Sequence, residues 1–319
     1  MRVGVILPQG WFGEFEGWDP VVAYDRILAL AQLSAKLGFE SIWTGEHVQS
    51  KWGGEQVLFD CVTLTTAIAQ AVPKIGIGFL VLNSTFRNPA LTAKTASTID
   101  VVSRGRLTLG LGAGFRQDEY LAFGYNFPPM RERLEMLGDH LEIISRMVAQ
   151  DEPPVTFEGR FAKVNNVVNN PRGVQHPRIR LMIGGHGPNI TYRLAARYCD
   201  EINIDLMIED LPQGLDALRQ RCEEIGRDPA TLALSAGIGP SMQWRGLKAT
   251  GGQRMMEAHE AAFVDPEKMQ RLPSRVEALQ QWRELGFLRV MAGAPGLANT
   301  NETLYELKED CVEAGVDFT

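Results

Sequence analysis

Glu119 lies just beyond a strand-like run and a cluster of glycines, within the stretch from Arg104 to Gly124. In that run leucines alternate with small or polar residues, and the cluster consists of Gly110, Gly112 and Gly114. Glycine lets another group approach the backbone closely because it has no side chain. In parallel α/β enzymes, polar residues just past the carboxyl end of a strand carry the chemistry. The stretch therefore predicts the floor of an active site, with Glu119 at its edge.

A second pair of ionisable side chains, Glu46 and His47, follows directly after another predicted strand. An imidazole there could bind a ligand, stabilise a developing anion or carry a proton near neutral pH. A histidine packed in the core is the plainer alternative. Glu119 beside a bound ring would have its pKa raised by desolvation, which suits proton transfer. The five histidines show neither HxH nor HExxH spacing, so no metal site is predicted.

A third candidate is the turn GGHGPN, which opens with Gly184, Gly185, His186 and Gly187. A glycine-rich turn between a strand and a helix presents backbone N–H groups and the positive end of the helix dipole, which together suit a phosphate. The alternative is that the glycines only allow a tight turn. The sequence GLGAG at 110–114 does not complete the dinucleotide fingerprint, because position 115 is Phe115. We expect these glycines, Gly112 among them, to let a flat ring lie against the strand.

Aromatic side chains are unusually frequent near the predicted site. The first loop contains Trp11, Phe12, Phe15 and Trp18, and the others are Trp43, Trp52 and Phe115. Some of them should belong to the core. The loop members could form an apolar wall for a substrate or a flavin-type ring.

These side chains need a scaffold, and the hydrophobic pattern predicts about eight strands alternating with about eight helices. The strands are expected at 2–8, 39–44, 74–82, 106–112, 179–183, 200–204, 231–238 and 287–292. The helices are expected at 20–38, 57–70, 89–102, 134–148, 189–198, 209–225, 276–285 and 302–314. Such alternation requires parallel strands, and eight units can close into one (β/α)₈ TIM barrel.

The predicted α/β barrel spans residues 1–319 as one domain. Two excursions interrupt it, at about 150–172, where a β-hairpin is expected, and at about 240–272. An open, doubly wound sheet is the structural alternative, but no switch point can be located for it. In a closed barrel every loop that follows a strand opens on one face, so the three candidate groups would meet there.

The composition limits the class of protein. The chain has 319 residues, 45% hydrophobic and 22% charged, with a formal net charge of −7. These are values of a globular protein, and the charge argues against nucleic acid or an anionic membrane as the main partner. No apolar run approaches the roughly 20 residues of a membrane span. Four scattered cysteines without metal-ligand spacing fit buried thiols in a reducing cytoplasm.

Three segments resemble the bacterial luciferase-like family and, within it, the coenzyme F420-dependent oxidoreductases. They are ESIWTGEHV at 40–48, RNPALTAKTASTIDVVSRGRLTLGLGAGFRQDEYLAFG at 87–124, and IGGHGPNITYRLAARYCDEIN at 183–203. The resemblance covers nearly the whole chain. It implies a TIM barrel that binds a deazaflavin cofactor.

The resemblance also implies roles for particular residues. The cofactor phosphate would lie at the turn 184–187, and the tricyclic ring would lie against a non-proline cis peptide at Leu82–Asn83 or Asn83–Ser84. His47 and Glu119 match residues that lie near the ring and serve in proton transfer or anion stabilisation, and Glu46 joins them as a catalytic candidate. Two positions depart from the family pattern. A small residue is common where His186 stands, and an aspartate is often found in place of Glu46.

The function expected from the resemblance is hydride transfer between coenzyme F420 and an organic substrate, either a small molecule or a peptide. An FMN-dependent monooxygenase that uses reduced flavin and oxygen is the alternative, and a barrel that retains only the fold is a third reading. The substrate walls are expected at 150–172, at 240–272 and in the first loop. Arg245, Lys248 and Arg254 could meet an acidic group, although a solvated loop explains them as well. Family members often form homodimers, although the periodicity of this sequence does not decide the matter, and the cytoplasm is the expected location.

Overall fold

The computed structural model describes residues 1–50, 56–204, 206–237, 273–293, 296–316 and 318. Its main sheet has nine strands in the order β3-β2-β1-β11-β10-β9-β8-β5-β4, and a further pairing between β5 and β3 closes the ring. All its pairings are parallel, and β4 continues the line of β3 against β5. The predicted eight-stranded TIM barrel is confirmed, and the open sheet is excluded.

The strands of the ring are β1 (Arg2–Ile6), β2 (Ser41–Thr44), β3 (Gly76–Phe79), β4 (Leu82–Asn83), β5 (Leu107–Gly112), β8 (Arg180–Gly184), β9 (Glu201–Asn203), β10 (Ala233–Ala236) and β11 (Arg289–Gly293). The helices are α1 (Pro20–Leu37), α2 (Cys61–Ala71), α3 (Pro89–Ser103), α4 (Gln117–Ala122), α5 (Met130–Met147), α6 (Thr191–Tyr198), α7 (Leu211–Glu223), α8 (Arg275–Glu284) and α9 (Glu302–Glu313). Short 3₁₀ turns occupy Ser84–Phe86, Ile208–Asp210 and Pro229–Thr231.

Local sequence explains where the helices begin and end. Asp19 accepts hydrogen bonds from the first backbone N–H groups of α1, and Pro20 follows at the first helical position, as predicted. Gly38 ends the same helix in the left-handed region, at a φ of 88°. Asn88 and Pro89 begin α3 in the same way. Strand β5 is buried along its whole length, as a strand between barrel interior and helices should be.

The barrel interior is filled by large side chains that pack over glycines on neighbouring strands. Trp43, Met182 and Met291 form one layer, against which Leu80 and Val81 pack. A Cβ atom at Gly78 would clash with the Trp43 ring. The interior is therefore a packed core that leaves no channel from this layer downward.

Two elements differ from the sequence prediction. The expected third strand, 74–82, is divided, because the chain bends at Leu80–Val81 between β3 and β4. The segment after β5, expected as an acidic stretch, forms the short helix α4. The first excursion is the predicted hairpin, with β6 (Val155–Glu158) antiparallel to β7 (Lys163–Val167). The second excursion, 240–272, lies outside the described residues.

Among the described residues, no helix is long and apolar enough to span a membrane. All four cysteines are buried and unpaired.

Candidate functional site

Both His47 and Glu119 lie at the carboxyl end of the barrel, and they touch. Nδ1 of His47 is 3.1 Å from one carboxylate oxygen of Glu119 and 3.2 Å from the other. His47 follows β2 by three residues, and Glu119 lies in α4 after β5. Closure of the barrel therefore brings together two side chains that are 72 positions apart in sequence.

The Glu119 carboxylate is held by several donors at once. Besides His47, the backbone N–H groups of Val48 and Gln49 donate to one of its oxygens at 3.3 and 3.4 Å. The Arg116 guanidinium lies 3.5 Å from that oxygen and also pairs with Asp118. A carboxylate held in this way is suited to fixing an imidazole and stabilising its positive charge.

His47 is hydrogen-bonded to the Glu119 carboxylate on one side, and its ring contacts two aromatic rings. The Trp11 ring lies parallel to the imidazole, with 3.6 Å between centroids and 2° between planes, and Phe115 meets it edge-on at 5.9 Å. Burial lowers the pKa of His47, and the neighbouring Glu119 opposes that shift. In the tautomer whose Nδ1–H donates to Glu119, the lone pair of the neutral ring lies on Nε2, where it can accept a proton.

Glu46, the third catalytic candidate, has both carboxylate oxygens committed. One accepts from the Asn83 backbone N–H at 2.6 Å, and the other pairs with Arg87 at 2.6 Å. Burial raises the pKa of Glu46, and Arg87 counteracts the rise. This geometry favours a positioning role for Glu46, because the salt bridge and the hydrogen bond fix the start of the turn at Asn83.

The turn after β4 forms a polar cluster at the rim. The Asn83 side-chain oxygen accepts from the Thr85 hydroxyl at 2.8 Å and from the Tyr120 hydroxyl at 3.0 Å. The Ser84 hydroxyl beside it is buried and has no hydrogen-bond partner within the described part of the chain. A buried hydroxyl without a partner is a natural contact point for a bound polar ligand.

The predicted position of the non-proline cis peptide bond is wrong. The bond joins Leu80 to Val81, two peptide bonds before Leu82–Asn83. The bend of the chain lies there, between β3 and β4, so that Leu82 and Asn83 already belong to the next strand.

The glycine turn follows β8 on the same rim. Gly185 has a φ of +129°, which side-chain-bearing residues rarely adopt, and its N–H donates to the Asn203 carbonyl at 3.0 Å. Helix α6 begins at Thr191 without a side-chain cap on its first N–H groups. His186 is exposed. The turn therefore offers backbone donors and a helix N-terminus, with no acidic side chain in contact among the described residues.

The glycines at 110–114 allow close packing within the chain, and their predicted contact with a flat ring stays a prediction. A Cβ atom at Gly112 would lie 2.6 Å from Val81 Cγ2, and one at Gly184 would lie 3.1 Å from Val81 Cγ1. A Cβ at Gly114, whose φ is +70°, would meet the Asn83 and Tyr120 side chains. The sequence cannot show this, because the bend that brings Val81 into the barrel is a tertiary feature.

The aromatic side chains divide between core and rim. Phe15 is fully buried in the core and Trp43 in the barrel interior, whereas Trp11 and Phe115 surround His47. Trp52 lies outside the described residues, as do the basic residues 245, 248 and 254. Sequence reasoning missed Tyr120, Arg87 and Gln9, although Tyr120 directly follows Glu119 and Gln9 directly follows the expected first strand.

Comparisons with known proteins agree with this geometry. A family model described as luciferase-like monooxygenase matches residues 1–285. An F420-dependent glucose-6-phosphate dehydrogenase of Intrasporangium calvum is 23% identical over 323 residues, which cover 91% of this chain and 94% of the relative.

Two solved structures share the fold over nearly the whole length. An F420-dependent secondary alcohol dehydrogenase, in complex with an F420–acetone adduct, superposes with a TM-score of 0.77 at 18% identity, covering 98% of each chain. A monooxygenase from Streptomyces bottropensis gives a TM-score of 0.75 at 20% identity, covering 98% of this chain and 99% of the other.

Proposed function

Because the chain belongs to the luciferase-like monooxygenase family, we propose that it is an F420-dependent oxidoreductase acting on a small organic substrate. Its relatives of similar length are named F420-dependent dehydrogenases, which makes hydride transfer the reaction class. The observation that carries the proposal is the hydrogen-bonded pair of His47 and Glu119 on the catalytic rim.

The residues of the rim fit a phosphorylated ring cofactor. The turn Gly184–Gly187 and the start of α6 would hold the phosphate through backbone N–H groups. The ring would lie over Val81, within reach of the Ser84 hydroxyl, which lacks a protein partner in the described structure. Bound deazaflavin supplies the two-electron hydride chemistry, and the protein supplies orientation and a proton path.

His47 is the proposed acid–base group. In the direction of oxidation, the neutral imidazole accepts the substrate proton at Nε2 and becomes an imidazolium. Glu119 stabilises that positive charge through Nδ1, at 3.1 Å. Trp11, stacked on the ring, keeps water from one face of the imidazole and fixes its plane.

Glu46 would act indirectly, by positioning other residues of the site. Through its hydrogen bond to the Asn83 N–H and its salt bridge to Arg87, it would set the position of Asn83 and Ser84 under the ring. It has no remaining oxygen directed at a substrate, so a role in proton transfer is not proposed for it.

Purified protein titrated in parallel with F420 and FMN tests the proposal. We expect micromolar or tighter F420 binding, seen as a change in cofactor absorbance or fluorescence, and weak FMN binding. Tight FMN binding without F420 affinity, together with oxygen consumption when FMNH₂ is supplied, would replace the proposal with the monooxygenase alternative. The homodimer stays a prediction, which the mass of the same preparation in solution would test.

A further inference from the structure

Gln9 lies at the rim just beyond β1, and one end of its side chain has no partner. The residue is 6% exposed. Its Nε2 group is buried and finds no hydrogen-bond acceptor in the part of the chain that the structure describes. A buried amide that lacks an acceptor costs folding free energy unless something else supplies one.

The orientation of the Gln9 carboxamide is fixed by its surroundings. Oε1 accepts a hydrogen bond from the Gly45 N–H at 2.7 Å, and only the oxygen of the amide can do so. The Gln9 backbone carbonyl accepts from Phe59 N at 3.3 Å. The NH₂ group must therefore point away from Gly45, and rotation would break the bond that holds it.

The contacts of the first loop continue the pairing of β1 with β2 beyond the strands. Leu7 N donates to the Trp43 carbonyl at 3.0 Å. Two residues on, Gln9 contacts Gly45, and two further on, the Trp11 ring stacks on His47. The contacts themselves place Gln9 and Trp11 beside Gly45 and His47, two neighbouring positions after β2.

The loop is built to hold this arrangement before anything binds. The Glu14 carboxylate turns back into the loop and accepts from Phe12 N at 2.8 Å. Burial raises the pKa of Glu14, and backbone N–H groups, including those of Gln9 and Gly10, work against the rise. Gly10 has a φ of +99° and packs against the Val57 carbonyl. The Gln9 amide is thus preorganised.

We propose that Gln9 Nε2 donates a hydrogen bond to the oxygen of a secondary-alcohol or carbonyl substrate whose proton is handled by His47. This inference rests on the proposed function and adds to it a residue that contacts the substrate. A hydroxyl group can donate its proton to His47 Nε2 while its lone pair accepts from Gln9. The carbonyl oxygen of the product has two lone pairs, one for each donor.

The step balances in atoms and electrons. The carbinol C–H bond breaks with its electron pair, and the hydride passes to oxidised deazaflavin. The O–H bond breaks, the proton goes to His47 Nε2, and the C=O bond forms. An imine nitrogen has one lone pair in place of two, so the two donors select oxygen over nitrogen at the reacting carbon.

The experiment uses the full chain reconstituted with F420. The probes are propan-2-ol, cyclohexanol and glucose 6-phosphate, with cyclohexylamine as the nitrogen counterpart of cyclohexanol. Gln9→Glu keeps an oxygen for Gly45 and replaces the NH₂ donor with an acceptor, and Gln9→Met removes both. Gln213→Glu, on the exposed face of α7, adds the same charge elsewhere.

We expect oxidation of at least one alcohol and none of the amine. In Gln9→Glu, kcat/KM for the alcohol should fall about tenfold to hundredfold. The F420 Kd should change by no more than about twofold, and Gln213→Glu should match the unmodified chain. Gln9→Met should show the same loss if Gln9→Glu does not fold, since it too lacks the donor.

Four results would overturn the inference. The first is that the unmodified chain oxidises cyclohexylamine as fast as cyclohexanol, and the second is that kcat/KM is unchanged in both Gln9 variants. The third is that the unmodified chain binds F420 but oxidises none of the alcohols. The fourth is that the Gln9 variants lose as much F420 affinity as they lose kcat/KM. The last would mean that Gln9 contacts a carbonyl of the cofactor ring. Failure of the unmodified chain to bind F420 at all would instead refute the proposed function, and with it the inference.

Discussion

Around the barrel mouth, the loops after β2 and β5 meet through ionisable side chains, whereas the turn after β8 contacts β9 through its backbone. On the first side, which we call the acid–base side, His47 and Glu119 are fixed by Arg116, Trp11 and two N–H groups. On the second, which we call the phosphate side after the role proposed for it, the Gly185 N–H donates to the Asn203 carbonyl, and the N–H groups that follow it would contact the anion. The first arrangement could move a proton, whereas the second could only bind an anion.

This difference predicts how each side responds to mutation. Side chains on the acid–base side can be replaced without moving the backbone, so their loss should affect turnover more than cofactor affinity. On the phosphate side the backbone itself is the binding group, so changes there should affect cofactor affinity and stability more than turnover. The predictions below test this division, from the largest expected effect to the smallest.

His47→Gln should give the largest effect on turnover. Glutamine retains polarity and approximate size but cannot accept and return a proton near neutral pH, so kcat should fall by about 10²–10⁴. The F420 Kd should change by less than about threefold. Steady-state kinetics and an F420 titration measure the two effects, with the exposed His176→Gln as the control. A loss of F420 affinity in proportion to kcat would contradict the division between the sides.

Gly185→Ala should give the opposite pattern. At a φ of +129° alanine is strained, and the turn should shift its N–H groups, which would weaken F420 binding about tenfold with little change in kcat at saturation. Thermal unfolding should show a loss of about 1–3 kcal/mol. Gly286→Ala is the matched control, because Gly286 has a φ of +81° in open space before β11 begins. If both variants bind F420 equally well, the turn does not hold the phosphate.

The two sides also differ in how much of them the sequence could reveal. The glycine turn and the positions of His47 and Glu119 were predictable, because each follows a strand whose hydrophobic pattern is clear and all strand ends of a barrel share one face. The stack of Trp11 on His47 and the salt bridge between Glu46 and Arg87 were not. Both depend on side-chain directions in loops, and loop sequences have no hydrophobic periodicity from which those directions could be predicted.

The glycine cluster at 110–114 is a second feature whose surroundings the sequence did not reveal. Gly112 was recognised as a place of close approach, but the approaching group is Val81 of the same chain. The sequence pattern at 74–82 reads as one strand because every residue after Lys74 is apolar or glycine. The bend at Leu80–Val81 that divides it depends on what surrounds it in three dimensions.

His140 contacts the turn between the two sides, and replacing it should have the smallest effect on turnover and on cofactor affinity. It is buried in α5, where it hydrogen-bonds to the Ser84 backbone and contributes to holding the turn at the rim. Burial lowers the pKa of His140 from 6.5 to about 4. As the pH falls below about 6.5, the unfolded chain takes up a proton there that the folded chain does not bind until about pH 4.

The free energy of unfolding should therefore decrease between pH 6.5 and pH 4, by at most about 3 kcal/mol from this residue. His140→Gln does not titrate, so the stability difference between the unmodified chain and this variant should be larger at pH 7.5 than at pH 4.5. Urea unfolding at both values measures it, with His176→Gln as an exposed control. If the stability difference does not depend on pH, His140 has the same pKa in the folded and unfolded chain. Its protonation would then have no effect on the stability of the turn at the rim.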